Sequence, residues 1–187
     1  NALEVDECVS FLRNETREAR LNEVTLALCA EMLLVAGKET DRAAATQRCD
    51  DAVTSGRAAA AFSRMVSALG GPDDFLENAG KHLARAPVTR VVNATGTVVA
   101  MNTRAIGNAI IELGGGRRQV GEALDLSVGF SHFASIGTVL NEDTPLVVIH
   151  AASEDDAEQD ERNLLEAETQ GDSEPPERPV ISEILTG

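Results

Sequence analysis

A chain of 187 residues with 43% hydrophobic residues but only 3% aromatics, and no Trp or Tyr, must build its core from Ala, Leu, Val and Ile. Its formal net charge of -15 repels a polyphosphate backbone and an anionic bilayer surface, which argues against nucleic-acid and membrane partners. No apolar run is long enough to span a bilayer, and Cys8, Cys29 and Cys49 match no zinc spacing, so the expectation is a reducing cytoplasm.

The chain opens Asn1-Ala2-Leu3-Glu4-Val5 as if already inside a helix, which reads as a piece of a longer protein. Val5, Cys8, Val9 and Leu12 recur at helical spacing. A second helix runs from Arg20-Leu21-Asn22 through Leu28, Met32 and Val35. It is apolar on nearly every side, which predicts deep burial, and Gly37 is placed to end it. Cys8 and Cys29 fall on apolar faces and read as small core residues. Asp41 caps a third helix that reaches about Val53, where Gly56 breaks it. Ala58 to Leu69 forms a fourth, with Phe62, Met65, Val66 and Leu69 on one face, stopped by Gly70-Gly71-Pro72.

The character changes near Pro87. Val88 to Val92 and Gly96 to Met101 read as short strands around an Asn93-Ala94-Thr95 turn. Thr103 caps a helix holding Ile106, Ala109, Ile110 and Leu113, ended by Gly114-Gly115-Gly116. Ser127 to Ser131, Thr138 to Leu140 and Leu146 to His150 read as strands, with Asn141-Glu142-Asp143 a turn between two of them. Glu154 to Thr169 reads as a polar helix, Asp172 to Arg178 as a Pro-containing linker, and Pro179 to Leu185 as an edge strand. Residues 154–177 carry eleven acids against Arg162 alone, which reads as a solvated helix face and tail.

Few motifs carry chemistry by themselves. The run Gly114-Gly115-Gly116-Arg117-Arg118 follows a helix and so faces its carbonyl end, whereas phosphate loops use helix N-termini; a C-cap followed by a mobile basic loop is the better reading. The strand Gly96 to Met101 is similar to the hairpin of biotin and lipoyl carrier domains, but Asn102-Thr103 stands where a carrier Lys belongs. A non-catalytic barrel-sandwich binding or interaction module is the alternative reading. His82, His132 and His150 are scattered and read as ordinary strand or loop residues. No G-x-S-x-G pattern supports a hydrolase.

Asn1-Ala2-Leu3-Glu4-Val5 with Glu7 resembles the G-N-A-x-E-V-x-E segment of pyrimidine nucleoside phosphorylases. The resemblance continues through Leu26 to Leu33, Phe62 to Val66 and Gly71 to Asn78. It resumes at Asp125-Leu126-Ser127-Val128-Gly129-Phe130 and at Pro145 to Ala151. Within the family it is closest to the bacterial thymidine phosphorylases, including the triple-Gly Arg-Arg run ending at Gln119. The resemblance implies a cytoplasmic, homodimeric pentosyltransferase that uses phosphate to cleave thymidine to thymine and 2-deoxy-α-D-ribose 1-phosphate. The family needs no organic cofactor. Its phosphate loop and its pyrimidine-holding Arg, Ser and Lys match no stretch of this chain, so no catalytic or substrate-binding residue is expected here and the chain alone is expected to be inactive. Two features carry over by resemblance. Glu7 falls at a potassium-ligand position, and Gly115, Gly116, Arg117 and Arg118 fall in a loop that orders on domain closure. The expected fold is α+β. A helical N-terminal layer over residues 1–84, the remnant of a larger α/β domain, precedes a small α/β-hammerhead or barrel-sandwich-like C-terminal domain over 85–187.

Overall fold

Local chemistry sets most helix boundaries in the computed structural model, which describes residues 1–171 and 179–185. Helix α1 spans Ala2–Leu12 and α2 spans Ala19–Val35. The Glu18 carboxylate starts α2 by accepting the N–H groups of Arg20 (3.0 Å) and Leu21 (2.6 Å), donors that the first turn leaves unpaired. Those bonds hold its carboxyl below the usual range. Gly37, at φ 63°, ends the helix. Asp41 caps α3 (Arg42–Thr54), accepting from the Ala44 N–H at 2.8 Å. Gly56, at φ 76°, separates α3 from α4 (Arg57–Ala68), and Gly70 follows α4 at φ 86°. A short helix α5 (Phe75–His82), kinked at Asn78, was not expected from sequence periodicity.

The chain divides into two compact units. One takes Asp6–His82 with the described residues 179–185, and the other takes Asn1–Val5 with the described residues 83–171.

In the helical unit α2 packs on α3. Arg17 joins the two through Asp50 (2.6 Å), and its guanidinium also lies 5.5 Å from the Phe11 ring centroid. Arg42 pairs with Glu31, and Arg48 with Glu39 at 2.6 Å. The deep burial expected of α2 is not found. Only Ala30 is fully buried, while Leu28, Met32 and Val35 are 59%, 63% and 88% exposed. A helix that packs on one neighbour covers one stripe, and apolar residues all round leave the remainder in solvent. Met65 on α4 and Leu69, which caps its C-terminal end, are exposed in the same way. Cys8 is exposed and Cys29 half-buried, so neither is a core residue.

The second unit holds two three-stranded antiparallel sheets. Strands β1 (Val88–Val92), β3 (Gly129–Ser131) and β5 (Val147–Ala151) form one, in the order β1-β5-β3. Strands β2 (Gly96–Met101), β4 (Val139–Leu140) and β6 (Glu168–Gly171) form the other, in the order β4-β2-β6. β1 and β2 are therefore not partners across a turn. Val92 accepts from the Leu146 N–H (2.9 Å), keeping β1 on β5, and Gly96 at φ 105° turns the chain into the other sheet.

Helix α6 (Thr103–Glu112) is capped by Asn102, not Thr103: the Asn102 Oδ1 accepts from the Ala105 N–H at 3.1 Å. Helix α7 (Glu154–Ala167) ends at Ala167 instead of the expected Thr169, and β6 follows it directly. Residues 179–185 form no strand, and the linker over 172–178 lies outside the described residues.

Helix α7 packs on α6, β1 and β5 over a continuous core. Leu146, Ile149, Leu164, Val92, Val98, Val128 and Val147 are fully buried, each contributing roughly 1.5–3 kcal/mol of transfer free energy. The fold is α+β, with its helical part first.

Candidate functional site

The loop after α6 is built by three glycines with different duties. Gly114 sits at φ 95°, and its N–H and that of Gly115 reach back to the carbonyls of Ile111 (3.1 Å) and Ile110 (2.9 Å), closing the helix. Gly115 and Gly116 lie against the helix itself. A Cβ on Gly115 would stand 3.0 Å from Ile110 Cγ2, and one on Gly116 would stand 2.6 Å from Ile111 Cγ1. The loop returns when the Asp125 N–H donates to the Gly114 carbonyl at 3.0 Å.

Between these points Glu122 organises the tip. Its Oε2 accepts from the backbone N–H of Arg118 at 2.7 Å and of Gln119 at 3.3 Å. The Arg117 Nε donates to the Glu122 carbonyl at 3.1 Å. Those two backbone donors, with the Arg118 charge behind them, hold the Glu122 carboxyl below the usual range. Both arginines are exposed. Asp125 then accepts from the N–H (2.8 Å) and hydroxyl (2.5 Å) of Ser127, which lowers its pKa and fixes the entry to β3.

Glu7 lies on α1 in the helical unit, exposed to solvent, whereas Gly115, Gly116, Arg117 and Arg118 belong to the other unit. Potassium, a hard cation, needs several oxygen ligands. Among the described residues no group of three or more His, Cys, Asp or Glu is arranged to hold a metal, so Glu7 offers one carboxylate and does not make a site by itself.

One constellation was missed by reading the histidines as scattered. The Ser131 hydroxyl lies 2.8 Å from His150 Nε2 and 2.9 Å from His132 Nδ1. The β3–β5 register places Gly129 opposite His150. With no side chain opposite, the imidazole leans diagonally onto Ser131, two residues along the same face. His132 takes a left-handed φ of 56°, which folds its ring back onto the same hydroxyl. The hydroxyl can donate its proton to one ring and accept an N–H from the other. Burial, then His132, then Arg85 press the His150 pKa below its ordinary 6.5. Only the strand register brings these residues together, and no sequence spacing announces it.

The acidic helix α7 is not solvated throughout. Asp160 is 2% exposed, and burial lifts its pKa to about 6. Its Oδ1 accepts from Asn163 Nδ2 at 3.2 Å, while Oδ2 has no partner among the described residues. Glu168, at the start of β6, is 6% exposed, neither of its oxygens has a partner among the described residues, and burial raises its pKa to about 7. Apart from Asp160, the acids of α7 face outward as expected.

Residues 97–169 match the family model described as the pyrimidine nucleoside phosphorylase C-terminal domain. The matched stretch runs from β2 into β6 and contains the Gly114–Glu122 loop, the Ser131–His150 pair and Asp160. Among the described residues no helix is long and apolar enough to cross a membrane. That stretch is similar to the C-terminal domain of pyrimidine nucleoside phosphorylases.

Proposed function

We propose that this chain is the C-terminal part of a thymidine phosphorylase, which cleaves thymidine with phosphate to thymine and 2-deoxy-α-D-ribose 1-phosphate. The observation that carries the reading is the family match over residues 97–169, a transferase family of nucleoside metabolism. The ordered resemblance of segments outside that match, from Glu4-Val5 to Gly71–Asn78, points the same way. In this reading the whole enzyme is a cytoplasmic homodimer, with thymidine and phosphate as its partners and potassium held in part by Glu7.

Phosphorolysis needs a clamp for phosphate charge and a donor to the departing base. No segment of this chain resembles the family's residues for either, so the role proposed for it is scaffold and closure. Arg117 or Arg118 makes a contact across the closed cleft, where domain closure orients the reactants and excludes water.

The test compares thymine release, with phosphate, from this chain and from a longer polypeptide carrying it. The longer protein should release thymine and the isolated chain none. Release by the chain alone would overturn the scaffold role. Turnover of uridine but not thymidine by the longer protein would overturn the substrate. In the longer protein Arg117→Ala combined with Arg118→Ala should impair turnover, and unchanged kcat and KM would sink the closure contact.

A further inference from the structure

The tip of the Gly114–Glu122 loop has the makings of an anion site that the chain fills with its own side chain. Two successive backbone N–H groups, of Arg118 and Gln119, converge on one oxygen of Glu122 at 2.7 and 3.3 Å. Consecutive N–H groups arranged in this way form a concave nest of positive partial charge that favours an anion. The Arg118 guanidinium adds a full charge that acts on the same carboxylate. Arg117 braces the turn through its Nε at the Glu122 carbonyl and stays exposed beside it. Further back, the Gly114 turn and the close approach of Gly115 and Gly116 to α6 anchor the loop's stem. Asp125, the next carboxylate along the loop, is engaged by Ser127 and does not compete for these donors.

We propose that the Arg118–Gln119 turn is a binding nest for a small doubly charged oxyanion, with Glu122 as its built-in competitor. A carboxylate tethered three residues away competes at an effective concentration on the order of millimolar or above. An external sulfate or phosphate therefore binds the wild-type loop weakly, and its entry releases Glu122 from both N–H groups. The overall charge of -15 opposes anions at long range, but fields beyond about 8–10 Å are screened at ordinary salt, which leaves the two arginines to set the local potential. The nest lies beyond the C-terminal end of α6, so no helix dipole assists it; the turn and the arginines carry the attraction. This inference stands on the loop geometry and does not depend on the phosphorolysis reading.

The test is an amide NMR titration of the whole chain with sodium sulfate and, separately, inorganic phosphate, against sodium chloride at matched ionic strength. Wild type, Glu122→Gln and Glu122→Ala are compared, with unchanged β5 amide signals as the check on folding. The expected result is saturable movement of the Arg118 and Gln119 amides with both oxyanions. Binding should tighten several-fold from wild type to Glu122→Gln and again to Glu122→Ala, and be lost when Arg118→Ala is added. Equal binding by all three proteins, chloride shifts that match those of sulfate, or movement centred away from the loop would each overturn the proposal.

Discussion

Arg90 on β1 donates to Glu161 on α7 at 3.0 Å, joining a strand to a helix far along the chain. The same guanidinium reaches Glu154 at 3.0 Å and Glu158 at 3.5 Å. The three acids are spaced as one helical stripe, so among the described residues Arg90 is the base that faces this row of like charges, and their pull raises its pKa. Arg90→Ala should lower the melting temperature by a few degrees, because the attraction is lost and the repulsion remains. Arg90→Lys should recover only part of this, since an ammonium cannot fork between carboxylates. Melting curves at low and high NaCl check the electrostatic origin: the deficit should shrink as salt screens the stripe.

Asp160 and Glu168 should make the C-terminal unit more stable in mild acid than in alkali. Their folded pKa values, about 6 and about 7, lie above the ordinary carboxylate values of 3.8 and 4.5. The folded state therefore holds these protons more tightly than the unfolded chain does. Stability from this source is complete below pH ~4 and is lost as pH rises through 6 and 7. Asp160→Asn keeps the acceptor for Asn163 and removes the charge. It should stabilise the chain at pH 8 by on the order of 2 kcal/mol and change little at pH 4. Glu168→Gln should act in the same direction. Urea unfolding at the two pH values tests both variants, and equal effects at pH 4 and pH 8 would rule out the titration account.

Two glycines near each other in sequence should respond oppositely to alanine. Gly107, inside α6, has open space where a Cβ would go, so Gly107→Ala should stabilise by about 0.5–1 kcal/mol through helix propensity. Gly116→Ala would drive a Cβ to 2.6 Å from Ile111 Cγ1 and 3.2 Å from its Cα. Part of that obstacle is backbone, so a cost of about 1–3 kcal/mol is expected. Thermal melts of the two variants should move apart; a stabilised Gly116→Ala would show that the loop does not need this close approach.

His150 should titrate below 6.5 in the folded chain, and His132→Ala should move its midpoint back toward that value. The variant removes one of the two cationic neighbours that disfavour a proton on His150 and leaves burial and Arg85 in place. Imidazole carbon–proton NMR signals followed against pH give the midpoints directly. A downward movement in the variant would mean that His132 supports the proton on His150.

Where one residue decides the geometry, the sequence was readable. Asp41 announces α3 because a carboxylate before a helical run has a backbone N–H to accept, and Gly37, Gly56 and Gly70 mark ends because left-handed turns favour glycine. The β-branched runs that became β1, β2 and β5 were equally visible, but their partners were not. Pairing depends on where distant segments lie, so β1 and β2 read as neighbours and belong to different sheets. Strand β6 was hidden inside an apparent helix because Glu168-Thr169-Gln170 is polar, as an edge strand can be. The Gly115–Arg118 loop was legible as a helix end followed by basic residues. The part played by Glu122 was not, since four positions of separation do not reveal that one carboxylate closes the turn. Ser131, His132 and His150 needed the β3–β5 register before they could meet.

The crossed pairing of the sheets has a consequence for how the domain comes into being during synthesis. Val88 waits for Ala151, and Thr97 waits for Val139 across α6 and then for Gly171, before either sheet is complete. Neither sheet can nucleate on a local hairpin, so loop closure must be met early and rewarded late, which slows folding. A ribosome that has released residues 88–140 has made β1 with no partner and β2 with only the short β4 beside it, and β1 stays unpaired until the last third of the domain emerges.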